Sequence, residues 1–194
     1  MSNTVAEHHA LERFVSQSPV SGEPAISVVI ASAHRFFNVR GAAGDAAFSA
    51  AMNALIGAPL PAQPNTYVNG NLRAFWLGPN EWLLSAVTDN DVTAQALGSV
   101  PGASAVDVSD GYVQLTLAGV DARKILAKGC TLDLHPRVFH TGCCAQTAIA
   151  RTAVLLTAND DPGQLGVVVR RTFAEYLASW LQHSAGSGVS FHIE

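Results

Sequence analysis

The chain has 194 residues, 48% of them hydrophobic and only 13% charged, with a formal net charge of −4. Its 11 basic residues form no clustered footprint for phosphate neutralisation, which argues against nucleic acid as a partner. No apolar run approaches the roughly 20 residues of a membrane helix, so no membrane partner is expected.

The charged fraction is about half the usual ~25% of globular domains. A weakly charged exterior suits a subunit that hides large faces against partners, because obligate interfaces resemble a core cut in half. An alanine-rich composition produces the same numbers without any interface. Three cysteines, two of them adjacent, make no disulfide framework and suit a reducing compartment.

In chain order, the opening MSNTVAEHHALERFVSQSP lacks a basic n-region and an apolar h-region, so the expected compartment is the cytoplasm. Residues 1–24 are expected to be a flexible segment. The alternation in VVIASAHRFFNVRG (28–41) predicts half-buried strands. Asp45 is placed to cap a helix whose Phe48, Met52, Leu55 and Ile56 share one face and which stops at Gly57. Residues 70–86 read as a hairpin around Gly78-Pro79-Asn80, with Trp76 and Trp82 able to share a face. A weak helix is expected over 91–98.

A second set of the same elements follows. AVDVSDGYVQLTLAG (105–119) predicts strands, Asp121 a capped helix ending at Gly129, and 142–158 a hairpin that matches 70–86 at a constant offset of 142 − 70 = 72. GQLGVVVR adds a strand. The last helix reads as capped by Thr172 and Glu175, with a buried stripe of Phe173, Leu177, Trp180 and Leu181. Residues 186–194 are expected to be a tail. These elements predict one α+β domain over 25–185, mainly antiparallel sheet with packed helices, in pseudo-repeated halves of about 26–100 and 103–185.

Several ordered marks carry a family resemblance: Gly119-Val120-Asp121-Ala122, Leu132-Asp133-Leu134 with Pro136 and Phe139, Gly142, Gln146-Thr147, and Arg171-Thr172-Phe173-Ala174. In this order and spacing the chain resembles the gamma subunit of heterotetrameric sarcosine oxidase, and more distantly the folate-binding domain of aminomethyltransferases. The resemblance implies a non-catalytic structural subunit of an oxidoreductase that demethylates sarcosine to glycine. It implies no cofactor in this chain; FAD, FMN, NAD, tetrahydrofolate and zinc would sit on other subunits. The alpha subunit would be the main contact, with beta and delta completing the heterotetramer. Asp133 falls where the distant relatives keep a carboxylate beside folate, but Leu132 replaces their Asn, so Asp133 reads as vestigial. The alternative is a free-standing folate-binding or one-carbon-transfer protein that uses Asp133 beside a pterin.

Trp76 and Trp82 are candidate partner contacts, with core packing expected for one of them. Arg170 and Arg171 are further candidates, against the plainer reading of a solvated pair at a strand end. Cys130, His135, His140, Cys143 and Cys144 offer soft metal ligands, but they lack paired-knuckle spacing, and adjacent cysteines on a strand point to opposite faces. No metal site is expected. Neither a G-x-S-x-G elbow nor a glycine-rich phosphate loop occurs, so no catalytic or cofactor-binding residue is assigned.

Overall fold

The computed structural model describes residues 11–16, 24–31, 34–87, 94–161, 163–186 and 188–194. The elements, in chain order, are α1 (Glu12–Ser16), β1 (Ile26–Ile30), β2 (His34–Arg40), α2 (Ala46–Ile56), β3 (Tyr67–Asn69), β4 (Arg73–Gly78), β5 (Glu81–Val87), α3 (Ala94–Gly98), β6 (Ser104–Asp107), β7 (Tyr112–Ala118), α4 (Ala122–Ala127), β8 (Cys144–Ile149), β9 (Thr152–Ala158), β10 (Gln164–Arg170), α5 (Arg171–Ala185) and β11 (Val189–Ile193). Residues 91–93 of the helix expected over 91–98 lie outside the described residues.

The strands form two sheets, ordered β11-β1-β7-β10-β9-β8 and β3-β4-β5-β2-β6. All named pairs are antiparallel except β1 with β11. Alternation sends each strand's two faces into different layers. In β7, Val113, Leu115 and Leu117 meet α1, α4 and α5, whereas Tyr112 turns toward the second sheet. In β2, Phe37 and Val39 meet α2, whereas Phe36 turns toward the first sheet. The result is helix, sheet, sheet, helix, with a middle layer of Phe36, Tyr67, Phe75, Leu83, Cys144, Leu155 and Val168.

The sheets are stitched along one edge. Tyr67 donates its N–H to the Gly142 carbonyl and Cys144 donates to Asn65, both at 2.9 Å, while the buried Tyr67 hydroxyl donates to the Ala158 carbonyl at 2.7 Å. At the other edge strands are exchanged: β1 joins the sheet of β7 although β2 lies in the other, and β6 joins the sheet of β2 although β7 does not. Counted from the stitched edge, both sheets therefore run in one pattern: β3-β4-β5-β2-β6 and β8-β9-β10-β7-β1. This corrects the hairpin alignment. By place in the sheet β8 and β9 answer to β3 and β4, so the match of 142–158 with 70–86 is one strand out. Successive strands of a meander share alternation and turn signals, and only pairing partners distinguish them.

Helix ends follow the local rules in part. The Asp45 carboxylate accepts from the N–H groups of Ala47 at 2.8 Å and Phe48 at 3.1 Å, and Gly57 ends α2 at φ 74°. Asp121 does not cap α4; its carboxylate takes Lys124 at 2.8 Å instead. The capping box at Thr172 is absent as well. β10 runs straight into α5, which puts the cap position on Arg170 with no side-chain bond, and Glu175 pairs with Arg13 at 2.9 Å. The buried stripe is accordingly Ala174, Leu177, Ala178 and Leu181; Phe173 is 48% exposed.

Two segments expected to be loose carry order. Leu11 and Phe14 sit in the helix-side core, with the Phe14 ring 5.4 Å from Phe191, and Val189–Ile193 adds a strand beside β1. Ile26 and Phe191 need covering on that side, and burial of α1 and β11 supplies it.

The two aspartates separate the local reading from the observed caps. Asp45→Ala should cost about 1 kcal/mol through the lost cap, whereas Asp121→Ala should cost a few tenths at most. Thermal or urea denaturation checks both.

Candidate functional site

The β4–β5 hairpin turns at Pro79 and Asn80, with Asn80 at φ 62°, and sets Trp76 directly opposite Trp82. The rings divide the roles. Trp82 is 1% exposed, packs on Phe48 at 5.7 Å and donates its indole N–H to the Pro61 carbonyl at 2.8 Å. That burial removes Trp82 from any contact surface. Trp76, its partner across the hairpin, is partly exposed.

Arg170 and Arg171 stand where β10 passes into α5. The Arg170 guanidinium lies 4.4 Å over the Tyr112 ring, and Arg171 Nε donates to the Asp110 carbonyl at 2.8 Å. Arg171 thereby grips the 3-10 turn Ser109–Gly111 that precedes β7, and Arg170 covers the first residue of β7. Tyr112 and Arg170 also line two open clefts at this end of the sandwich, each of about 410 Å³. One is apolar, between Leu77, Ala153 and Leu155, and is bridged where Gln146 Nε2 donates to the Leu77 carbonyl at 2.6 Å. The other is polar, with Glu81 held below its usual carboxylate range first by the hydrogen bond from Asn38 and then by Arg40. Trp76 does not join these clefts: its neighbour Leu77 faces them, and strand alternation turns Trp76 the other way.

Asp133 sits on the exposed loop after α4. Its carboxylate accepts from the His135 N–H at 2.9 Å, and Arg123 fixes the loop by donating to the carbonyls of Leu134 and Phe139. Leu132 packs toward the helix-side core, and Asp133 lines neither cleft. Gly119, which opens the strand-to-helix joint at φ 130°, has no room for a Cβ: one would lie 2.5 Å from the Ala25 carbonyl oxygen.

The cysteines and histidines of this region are dispersed. Cys130 is buried near Thr147, and Cys143 lies 3.7 Å from His140 Nδ1. Cys144 points into the middle layer with its thiol toward the Thr66 carbonyl at 3.2 Å. Among the described residues no three His, Cys, Asp or Glu side chains come together as a metal-sized group. Burial pushes the Cys144 thiol up to about 12.

The sequence reading missed one surface. Because the buried stripe of α5 is turned from the expected one, Phe173 and Tyr176 lie outside, 48% and 39% exposed, with Trp180 partly covered one turn further on. Aromatic residues on an outer helix face are characteristic of contact surfaces. Their i, i+3, i+7 spacing was visible, but which of two adjacent stripes faces the sheet depends on where β10 ends.

Comparison with known proteins places this architecture. The profile of the sarcosine oxidase gamma subunit family matches residues 40–187. The chain belongs to this family. The sarcosine oxidase gamma subunit of an Arthrobacter species is 31% identical over 194 residues, covering 93% of each chain. That of Corynebacterium sp. strain P-1 is 34% identical over 149 residues, 74% of this chain and 71% of the relative. A chain of the heterotetrameric sarcosine oxidase of Corynebacterium sp. U-96, solved with pyrrole 2-carboxylate, superposes with a TM-score of 0.80 at 27% identity, covering 92% of this chain and 94% of that one. Aminomethyltransferase T of Bartonella henselae, at TM-score 0.60 and 14% identity over 88% of this chain and 48% of its own, shares the fold.

Within this gamma-family chain the two tryptophans should behave differently. Trp82→Ala should lose about 3–5 kcal/mol by emptying the α2-side core, while Trp76→Ala should cost under about 1 kcal/mol; denaturant midpoints measure both. The raised thiol makes a second test. Cys144 stays protonated when folded, so stability is full below the ordinary thiol range near ~8.5 and falls as pH rises from there toward about 12. At pH 8 a thiol reagent should label the partly exposed Cys143 first and Cys144 only on unfolding.

Proposed function

We propose that this chain is the non-catalytic gamma subunit of a heterotetrameric sarcosine oxidase. It docks on the large alpha subunit and holds the assembly in shape while sister chains oxidise the N-methyl group of sarcosine to yield glycine. The observation that carries this reading is the end-to-end match to one chain of a heterotetrameric enzyme, at TM-score 0.80 over more than nine-tenths of both chains. Coverage of 92% of this chain and 94% of that one supports a subunit of the same kind.

The chain's own chemistry agrees. The residue in the folate-associated position, Asp133, lies on an exposed loop, spends its carboxylate on a turn, and has Leu132 beside it turned inward. Flavin, dinucleotide, tetrahydrofolate and zinc are assigned to the other subunits, and the complex to the cytoplasm. No helix among the described residues is long and apolar enough to cross a membrane.

The outer stripe of α5 is the contact surface we favour, with Phe173 and Tyr176 as anchors and Trp76 as a second contact on the other sheet's helix side. Large, stiff aromatic rings lose little entropy when they are covered, which suits them to this role. Coexpression with the alpha subunit followed by size-exclusion chromatography tests it. Phe173→Ser with Tyr176→Ser should weaken capture at least about tenfold, and Asp133→Ala should leave it unchanged. Undiminished capture of the double variant would remove α5 from the interface, and failure of the unaltered chain to co-elute would remove the subunit role itself.

A further inference from the structure

Toward the end of the sandwich away from Arg170, the middle layer changes character. On three strands the position two residues beyond, or before, an apolar layer residue is polar: His34 next to Phe36 in β2, Ser85 next to Leu83 in β5, and Gln114 next to Tyr112 in β7. Arg73 of β4 is the register partner of Ser85, so it enters at the same level. These side chains, with Asn69 and Asn71 on the wall, line a pocket of about 160 Å³ between the two sheets.

A sandwich that only needed filling would carry apolar side chains at these positions, since buried polar groups cost free energy unless they are hydrogen-bonded. Ser85 and Gln114 are 5% and 7% exposed. Their one mutual bond, Ser85 Oγ to Gln114 Oε1 at 3.3 Å, uses the acceptor of the amide and leaves its N–H groups facing the pocket. His34 Nδ1 is buried and has no partner among the described residues. Arg73 has no carboxylate within 4 Å among the described residues; its guanidinium stands 5.8 Å from the Tyr67 ring. A cation with no ion pair among the described residues and spare N–H donors therefore converge on a half-enclosed space, where His34 also feels the more distant Glu194 carboxylate.

We propose that this pocket, built by Arg73, Gln114, Ser85 and His34, is a binding site for a small monocarboxylate. The carboxylate takes the Arg73 guanidinium and the Gln114 amide, and it offers an acceptor oxygen to the His34 ring. The size limits the class. At roughly 30 Å³ per water the space equals about five waters, which suits a ligand of about four to six heavy atoms. The charge limits it as well: a single guanidinium matches a monoanion, while a phosphate dianion would retain an unpaired charge in a half-enclosed site. The site is independent of any docking role, because it lies inside the sandwich and not on α5.

Equilibrium dialysis of the full-length chain with radiolabelled acetate, run beside radiolabelled inorganic phosphate, tests the assignment. One acetate per chain should bind saturably, phosphate should bind at least about tenfold more weakly, and Arg73→Gln should lose at least about tenfold in acetate affinity. Arg73 is partly exposed, so this variant should fold; Gln114→Leu, close in volume, is the second variant and should weaken acetate in the same direction. Absence of saturable acetate uptake, uptake unchanged in the folded variants, or equal binding of phosphate would each overturn the proposal.

Discussion

Everything in this molecule rests on the packing of two sheets face to face across a thin shared layer. Seven buried side chains fill that layer, and it is joined at one edge by backbone hydrogen bonds between residues 65–67 and 142–144. At the other edge β1 and β6 cross between the sheets, so neither sheet is complete without a strand that precedes the other half's own. The exchange makes the halves inseparable: pulling them apart would break two antiparallel ladders as well as an apolar layer. Such a body is stiff along its edges and incompletely filled at its ends, which is where the clefts lie.

That geometry distributes chemistry to the margins. The helices close the outer faces of both sheets, so the surfaces left for recognition are the strand ends, the loops and the outer side of α5. At one end Arg170 and Tyr112 stack across the mouth of an apolar cleft. At the other, Arg73, Ser85 and Gln114 make a polar pocket within the layer. The loop that holds Asp133 is pinned by Arg123 and by the burial of Leu134 and Phe139. A fold shared with an aminomethyltransferase is thus compatible with a chain whose own role lies in assembly.

Much of this was legible in the residues because it depends on local rules. The cap at Asp45 and the stop at Gly57 follow from spare N–H groups and a left-handed backbone, and the strands follow from alternation. The ordered family marks, from Gly119 to Ala174, likewise read directly. Asp121 and Thr172 broke the capping rule for a tertiary reason: a lysine one turn on captures the first, and a strand that runs without pause into the helix moves the cap away from the second. The candidate contacts divide similarly. Trp76 and Trp82 could be identified as a cross-strand pair, but only the position of Phe48 and the Pro61 carbonyl decided which ring is core.

By itself, the sequence determined the class of the fold, most element positions and the family, because periodicity, turn residues and ordered motifs are properties of neighbouring residues. Tertiary structure alone decided which hairpin answers to which, the exchange of first strands, the order in β11, and the rotation of α5 that exposes Phe173 and Tyr176. Those depend on pairing and packing between residues tens of positions apart, and a period of two or 3.6 carries no record of its partner.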